Sequence, residues 1–302
     1  DQILAEESDN PWVKLILWTQ KVPVPSIRWN GFMKYLVEER LKDVQSENLT
    51  EERRLGVMKW LGAYSAELKH HLPLDDDDLA KAKELFPEDT DFGKLGPRIT
   101  IDNHRFSEVL NFNSAIFLNA TKFTNCCFER SVGFVDANFE WPASFSGSKF
   151  SSDVKFGQAR FRAGARFDSV TFGGQADFFC QRLDDYFGAN FNGAKFETMI
   201  PIFYGRNFNP GCKFHAVTWP GLPKRNGLKR LEDRSEDTLL NHINSYEHIR
   251  TQAEKIGQLD LRKEMIRQEL ACCAEAAKPS FERLLRKAYG WICDHGTSIG
   301  RP

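Results

Sequence analysis

The stretch Phe106–Phe178, FSEVLNFNSAIFLNATKFTNCCFERSVGFVDANFEWPASFSGSKFSSDVKFGQARFRAGARFDSVTFGGQADF, carries the organisation of the whole chain. Phenylalanine recurs at Phe106, Phe112, Phe117, Phe123, Phe128, Phe134, Phe139, Phe145, Phe150, Phe156, Phe161, Phe167, Phe172 and Phe178, in steps that alternate six and five without a break. A unit of eleven residues excludes the 3.6-residue period of a helix. The position two before the Phe is small or short in most motifs: Ala115, Thr121, Cys126, Val132, Ala137, Ala143, Ser148, Val154, Ala159, Ala165, Val170 and Ala176. A long strand would alternate throughout, whereas here one small and one large inward residue are followed by polar residues or glycine that turn a corner. That is the pattern of a narrow solenoid with a Phe ladder on its axis.

Segments such as Ala115-Ile116-Phe117, Ala137-Asn138-Phe139, Ala159-Arg160-Phe161, Ala189-Asn190-Phe191 and Ala194-Lys195-Phe196 resemble the pentapeptide-repeat family, whose motif is A-[DN]-[LF]-x-x. The resemblance implies a right-handed quadrilateral β-helix with four motifs, roughly 22 residues, per coil and coils about 4.8 Å apart. The run to Phe178 then fills a little over three coils. Phe191 and Phe196 join the ladder, and Ile202 with Phe208 or Phe214 completes about one coil more. The register breaks after Phe178: Leu183 fits the next step, but Phe191 comes eight residues later. An insertion is therefore expected near Asp184, Asp185 and Tyr186, either neutral or a bulge where a partner makes contact.

The flanks return to helical spacing, which divides the chain into a helical N-terminal domain or cap (1–97), the solenoid (98–216) and a C-terminal helical region (217–302). Trp12, Leu15, Ile16 and Leu17 mark one helix, Phe32, Tyr35, Leu36 and Leu41 a second, and Leu55, Met58, Leu61 and Leu68 a third. Pro23 and Pro25 separate the first two, and Thr50-Glu51-Glu52 is a start signal for the third. Such helices suit the end of a solenoid, whose open strand edges and Phe rings need covering. After Trp219, Pro220 and Pro223, a helix is predicted from Leu239 to Ile256, another from Leu259 to about Cys273, and a third opened by Pro279. Tyr246, Arg262–Leu270, Tyr289-Gly290-Trp291 and Gly296–Pro302 resemble a group of bacterial pentapeptide-repeat proteins in which membrane-spanning helices follow the solenoid. The resemblance implies a membrane segment after Pro302, and Arg283, Arg286, Lys287 and Arg301 agree with a cytoplasmic juxtamembrane stretch. A helix packed on the protein's own solenoid would read the same way.

Composition narrows the function. The 41 Lys and Arg balance 42 Asp and Glu, for a net charge of -1, so no bulk basic charge argues for nucleic acid. Seven cysteines include no CxxC, which points to a reducing, cytoplasmic compartment. No charged-then-apolar leader opens the sequence, predicting a signal peptide absent or already removed, and no run of 18 apolar residues occurs. His70 and His71 beside Asp75–Asp78 could hold a divalent metal, but the aspartates read more simply as the negative start of a helix from Leu79 to Phe86. Cys180 and Cys212 have His215 nearby in sequence without an orienting group, so they are expected to be core or surface thiols. Gly164, Gly173 and Gly174 fall on corners, not in a phosphate loop. The basic stretch Pro223–Arg230 is followed at once by Glu232, Asp233, Glu236 and Asp237, the pattern of a solvated linker.

No catalytic, cofactor or metal site is therefore expected, and the reading is a non-enzymatic protein-interaction scaffold at the cytoplasmic face of a membrane. Its partner is a protein, with self-association through the terminal helices as one arrangement. The alternative is a topoisomerase (DNA gyrase) inhibitor or protector acting by DNA mimicry, a function the resemblance brings with it. Mimicry needs a densely negative surface. Between Phe106 and Phe178, seven acids (Glu108, Glu129, Asp136, Glu140, Asp153, Asp168, Asp177) meet seven bases (Lys122, Arg130, Lys149, Lys155, Arg160, Arg162, Arg166), so net charge argues against it. An enzyme carried by the N-terminal helices would have His70, His71 and little else to work with.

Overall fold

Four sheets run along the solenoid in the computed structural model, which describes residues 8–45, 49–63, 67–92, 98–181, 186–220 and 236–276. The first face stacks Ile99–Asp102, Thr121–Thr124, Ala143–Ser144, Ala165–Arg166 and Ala189–Asn190, and the second stacks Arg105–Phe106, Cys127–Phe128, Lys149–Phe150, Thr171–Phe172 and Lys195–Phe196. The third holds Leu110–Asn111, Val132–Gly133, Val154–Lys155 and Ala176–Asp177, and the fourth holds Ile116–Phe117, Asn138–Phe139 and Arg160–Phe161. Every pairing is parallel. Thr121 pairs with Ala143, Lys149 with Thr171, Val154 with Ala176 and Arg160 with Asn138, each offset by 22 residues, so four motifs close one coil.

The ladder lies where the spacing put it. Every Phe from Phe106 to Phe178 in the six-five series is buried, as are Phe191 and Phe196 and the short residues two before each ring. Within a column the rings lie nearly parallel, from 4.4 Å between Phe117 and Phe139 to 5.6 Å between Phe150 and Phe172. Rings of the opposite first and third faces meet edge-on across the axis, as Phe145 and Phe156 do at 5.4 Å and 71°, the arrangement the ring quadrupole favours.

The five-residue steps have a second periodic feature. Asn103, Ser114, Asn125, Asp136, Gly147, Gln158 and Ser169, spaced eleven apart, all adopt positive φ. Five of the last six sit third in a tight turn closed by a backbone bond from the residue after it to the preceding Phe, such as Ala115 N to Phe112 O at 3.0 Å; at the sixth, Asn125, Ser148 Oγ bridges the turn, accepting from Cys126 N at 2.9 Å and donating to Phe123 O at 2.7 Å. This is the pattern of a type II turn, and it explains why Asn, Asp, Ser or Gly fills most of these corners.

Beyond Phe178 the coils widen. Ala165 now pairs with Ala189, Thr171 with Lys195 and Asp177 with Ile202, offsets of 24, 24 and 25. Ile202 is not the ladder residue: it continues the outward column of Asp177, and Phe203 stacks on Phe178 at 4.9 Å. Phe208 and Phe214 are both inward and touch at 5.2 Å, and only Phe214 stacks on the ladder, over Phe191. Of the expected insertion, 182–185 lie outside the described residues, while Tyr186–Phe187 pairs with Asn207–Phe208. Phe187 meets Phe161 at 61° instead of stacking, and Arg206 fills the corner. Arg206 is fully buried; its Nε donates to Phe178 O at 2.6 Å, its Nη2 to Ala159 O at 2.8 Å and Phe156 O at 3.2 Å, and its guanidinium lies over the Phe187 ring.

Helices stand at both ends. Helices α1 (Pro11–Thr19), α2 (Pro25–Gln45), α3 (Glu51–Ala63) and α4 (Asp76–Glu84) precede the first coil. Trp12, Phe32, Phe86 and Phe92 form their aromatic centre, and Trp29 packs on Phe112 and Phe117 at the foot of the ladder. Three amide side chains, ten residues apart, satisfy the open strand edge. Asn10 Nδ2 donates to Thr100 O, the Gln20 amide bonds both the N–H and the carbonyl of Asn111, and Asn30 accepts from Ile116 N while donating to Ser114 O. Among the described side chains of α3 Val57 is buried, whereas Leu55 and Met58, expected to face the core, are exposed; Leu61 lies outside the described side chains. Helix α4 begins three residues before the expected Leu79, because Asp75 caps it by accepting from Asp78 N.

At the other end stand α5 (Glu236–Lys255) and α6 (Leu259–Ala276). Gln252 Oε1 accepts from Phe208 N at 3.1 Å, His248 Nε2 donates to Arg206 O at 2.9 Å, and Gln258 Nε2 donates to Cys212 O at 2.6 Å. The helix expected from Pro279 lies outside the described residues, among which no helix is long and apolar enough to cross a membrane.

Candidate functional site

An axis filled by Phe side chains leaves the outer faces as the surface where chemistry can happen. On the first face the outward residues form polar ladders one coil apart. Ser146 Oγ donates to Asp168 Oδ1 at 2.9 Å, Arg166 Nε donates to the same oxygen at 3.0 Å, and the Thr124 hydroxyl donates to the Asp102 carboxylate. Partial burial alone would lift the Asp168 carboxyl, but the hydrogen bonds from Arg166 and Ser146 outweigh it and hold the group below the usual carboxylate range.

The second face pairs Arg105 with Glu129 and Lys195 with Glu197, both at 2.8 Å. On the third, Phe179 lies flat against Tyr204 at 6.1 Å, an aromatic pair on the outside of the solenoid. The fourth is occupied: Ile116 and Asn138 are buried, and Glu67 reaches Arg162 at 3.2 Å and Arg160 at 3.7 Å, with Arg162 also on Glu140 at 2.9 Å. Among the described residues three faces thus remain open. On them Glu129, Asp168 and Glu197 pair with Arg105, Arg166 and Lys195, and seven bases balance seven acids from Phe106 to Phe178, so the described faces form no dense negative strip of the kind a mimic of the phosphate backbone needs.

The site-like clusters of the sequence are drawn into local structure. Asp75 caps α4, Asp78 holds Arg28 through two bonds of 2.9 Å, and the His71 carbonyl accepts from Lys34 Nζ. Burial and the nearby Lys34 push the His71 imidazole below its ordinary pKa. No group of three metal-ligating side chains converges among the described residues. Cys212 points inward and its thiol donates to Phe187 O at 2.8 Å, whereas His215, three residues along the chain, is on the outside. Cys180 is buried as well. Burial raises the Cys126 and Cys212 thiols to about 11, which leaves little thiolate at neutral pH. Gly164 turns a corner at φ +85, and Gly174 packs so closely that a Cβ there would sit 2.5 Å from Ser152 C. The basic stretch at 223–230 lies outside the described residues.

Arg206 and the capping amides Asn10, Gln20, Asn30, Gln252 and Gln258 escaped the sequence reading. An Asn or Gln in a helix carries no mark of what it bonds. The positive-φ corners did leave a mark, a short polar residue or glycine at nearly every eleventh position.

Residues 134–179 match the family model described as pentapeptide repeats, in nine copies. The matched segment is the part of the ladder from Phe134 to Phe178, about two coils of the solenoid. No curated protein and no solved structure matches the sequence.

Proposed function

With a solenoid of pentapeptide repeats at its centre, we propose that this chain is a non-enzymatic protein-interaction scaffold. The observation that carries the reading is the combination of a Phe-packed axis with three outer faces that, among the described residues, lie open and carry polar side chains bonded to one another. Such a body is stiff along its length and presents fixed side-chain spacings, which suits holding a partner better than turning over a substrate. The test is in-cell crosslinking of the full chain with one face altered at a time: Lys122→Glu with Arg166→Glu on the first face, Arg105→Glu with Lys149→Glu and Lys195→Glu on the second, and Lys155→Glu on the third. One set should lose a crosslinked partner while the melting temperature stays within a few degrees. Partners unchanged by every set, or a turnover abolished by changing a polar cluster, would sink the reading.

We further propose that the C-terminal helical region joins the solenoid to a membrane segment after Pro302, on the cytoplasmic side. The likeness of Tyr246, Arg262–Leu270, Tyr289-Gly290-Trp291 and Gly296–Pro302 to repeat proteins with membrane helices supports it. The native gene decides: two or more apolar stretches of about 20 residues within some 80 codons after Pro302 are expected, and an early stop codon would remove the idea.

A further inference from the structure

The last coil is covered unevenly. His248, Gln252 and Gln258 close it at Arg206, Phe208 and Cys212, but the same edge runs on through Phe214 and Ala216 to Trp219. In the coils below, the equivalent amides donate to the next coil: Phe167 N to Asn190 O at 2.7 Å, Ser169 N to Asn192 O at 2.9 Å, Phe191 N to Lys213 O at 2.8 Å, and Gly193 N to His215 O at 2.9 Å. Phe214 and Ala216 are the next pair in these columns. Among the described residues, neither N–H has an acceptor.

Directly beside them is a cleft of about 890 Å³ between this edge and the start of α6, with Leu259 and Leu261 on the helix side. Two ladder columns end in it: Phe214 stacked on Phe191 at 5.1 Å, and Trp219 on Phe196 at 5.4 Å. Gln268 also lines the cleft, and its Oε1 is buried without a hydrogen-bond partner among the described residues. Open backbone donors set at strand spacing call for an extended backbone as their partner. Column ends five residues apart in sequence call for two large apolar side chains with that same separation.

We propose that this edge is a docking site for an extended segment of a partner protein, added as one more parallel strand with two aromatic or large aliphatic residues five apart. The proposal rests on the scaffold reading and specifies one of its contacts. The volume accommodates a segment of several residues, and the strand supplies main-chain affinity while the two column ends supply selectivity.

The test uses the full chain and a fluorescein-labelled peptide of the sequence Gly188–Thr198, GANFNGAKFET, whose two Phe have the required spacing. Saturable binding is expected, together with amide exchange at Phe214 and Ala216 slowed about tenfold or more on peptide addition. The same peptide with both Phe replaced by Ser should not bind. Leu259→Arg, at a position 62% exposed, should weaken binding about tenfold or more and leave the melting temperature unchanged. No saturable binding up to roughly 1 mM would overturn the proposal. So would Phe214 and Ala216 amides already protected in the free chain, whether monomeric, which would mean that its own segment covers the edge, or sedimenting as a dimer, which would mean that a second copy does. If face variants still lose their partners while the peptide fails, only the edge is wrong; if the peptide binds and every face variant is silent, the faces are.

Discussion

Phe156 has no exposed surface, a parallel ring 4.9 Å below it at Phe134 and another 5.1 Å above it at Phe178. Nothing in a ladder fixed by strand hydrogen bonds can collapse into the space its ring leaves, so Phe156→Ala is expected to cost about 3–5 kcal/mol. Lys155 is its outward neighbour, and Lys155→Ala should stay within about 0.5 kcal/mol of the parent. Urea denaturation of the two variants checks the register, and equal midpoints would contradict it. The corners make a prediction of opposite sign. Ser169 is held at φ 58, a conformation that costs an L-residue but not glycine. Its side chain contributes no hydrogen bond among the described residues, so Ser169→Gly should stabilise by roughly 0.5 kcal/mol net of glycine's unfolded-state entropy, read as a small rise in melting temperature.

At the scale of elements, the ends matter more than the middle, because every strand in between is paired on both sides. Asn30 is 1% exposed and satisfies two backbone groups of the first coil, accepting from Ile116 N at 2.9 Å and donating to Ser114 O at 3.0 Å. Asn30→Ala strands both in a buried setting, and a loss of about 2 kcal/mol is expected, seen as a lower urea midpoint with unchanged slope. An unaffected midpoint would mean that the N-terminal helices open separately from the solenoid. The central coils were legible because one residue type repeats in steps of six and five, which reads as a solenoid, while its four sides came from the resemblance to pentapeptide repeats. The caps were not: Asn10, Gln20 and Asn30 do for the edge what a strand would do, yet each sits in or beside a helix whose apolar pattern says nothing about the amide. The same blindness put Leu55 and Met58 inward, since helical spacing in α3 identifies a face without identifying which neighbour covers it. Ile202 and Phe203 show the limit inside the solenoid itself, where widened coils shift the register and a count in fives and sixes can land one residue off.

For the molecule as a whole, the two ends share a dependence on pH. His104, at the first coil, and His248, which ties α5 to the last, are both held below the ordinary imidazole range: burial alone depresses His104, while for His248 burial leads, Lys255 adds to it and the bond to the Arg206 carbonyl works against it. That bond requires His248 Nε2 to carry a proton as a neutral donor, since a carbonyl can only accept. His71 in the N-terminal helices is depressed in the same direction. When the folded pKa lies below the unfolded value of about 6.5, the unfolded chain binds more protons between the two, and stability falls as pH drops through that window. The contribution of these histidines is thus complete above about pH 6.5 and declines below it, levelling once the folded groups protonate. Asp168 works in a separate window, its contribution present above the usual carboxylate range near pH 4 and lost as pH falls through its lower folded value. Melts of the full chain at pH 7.5, 6.5 and 5.5 should therefore show a decline well before Asp168 titrates. Replacing His248 with Gln keeps a donor for Arg206 O but removes the titration, so that variant should show a shallower decline over the same range. An identical slope would move the acid sensitivity to His104 and His71 at the other end of the solenoid.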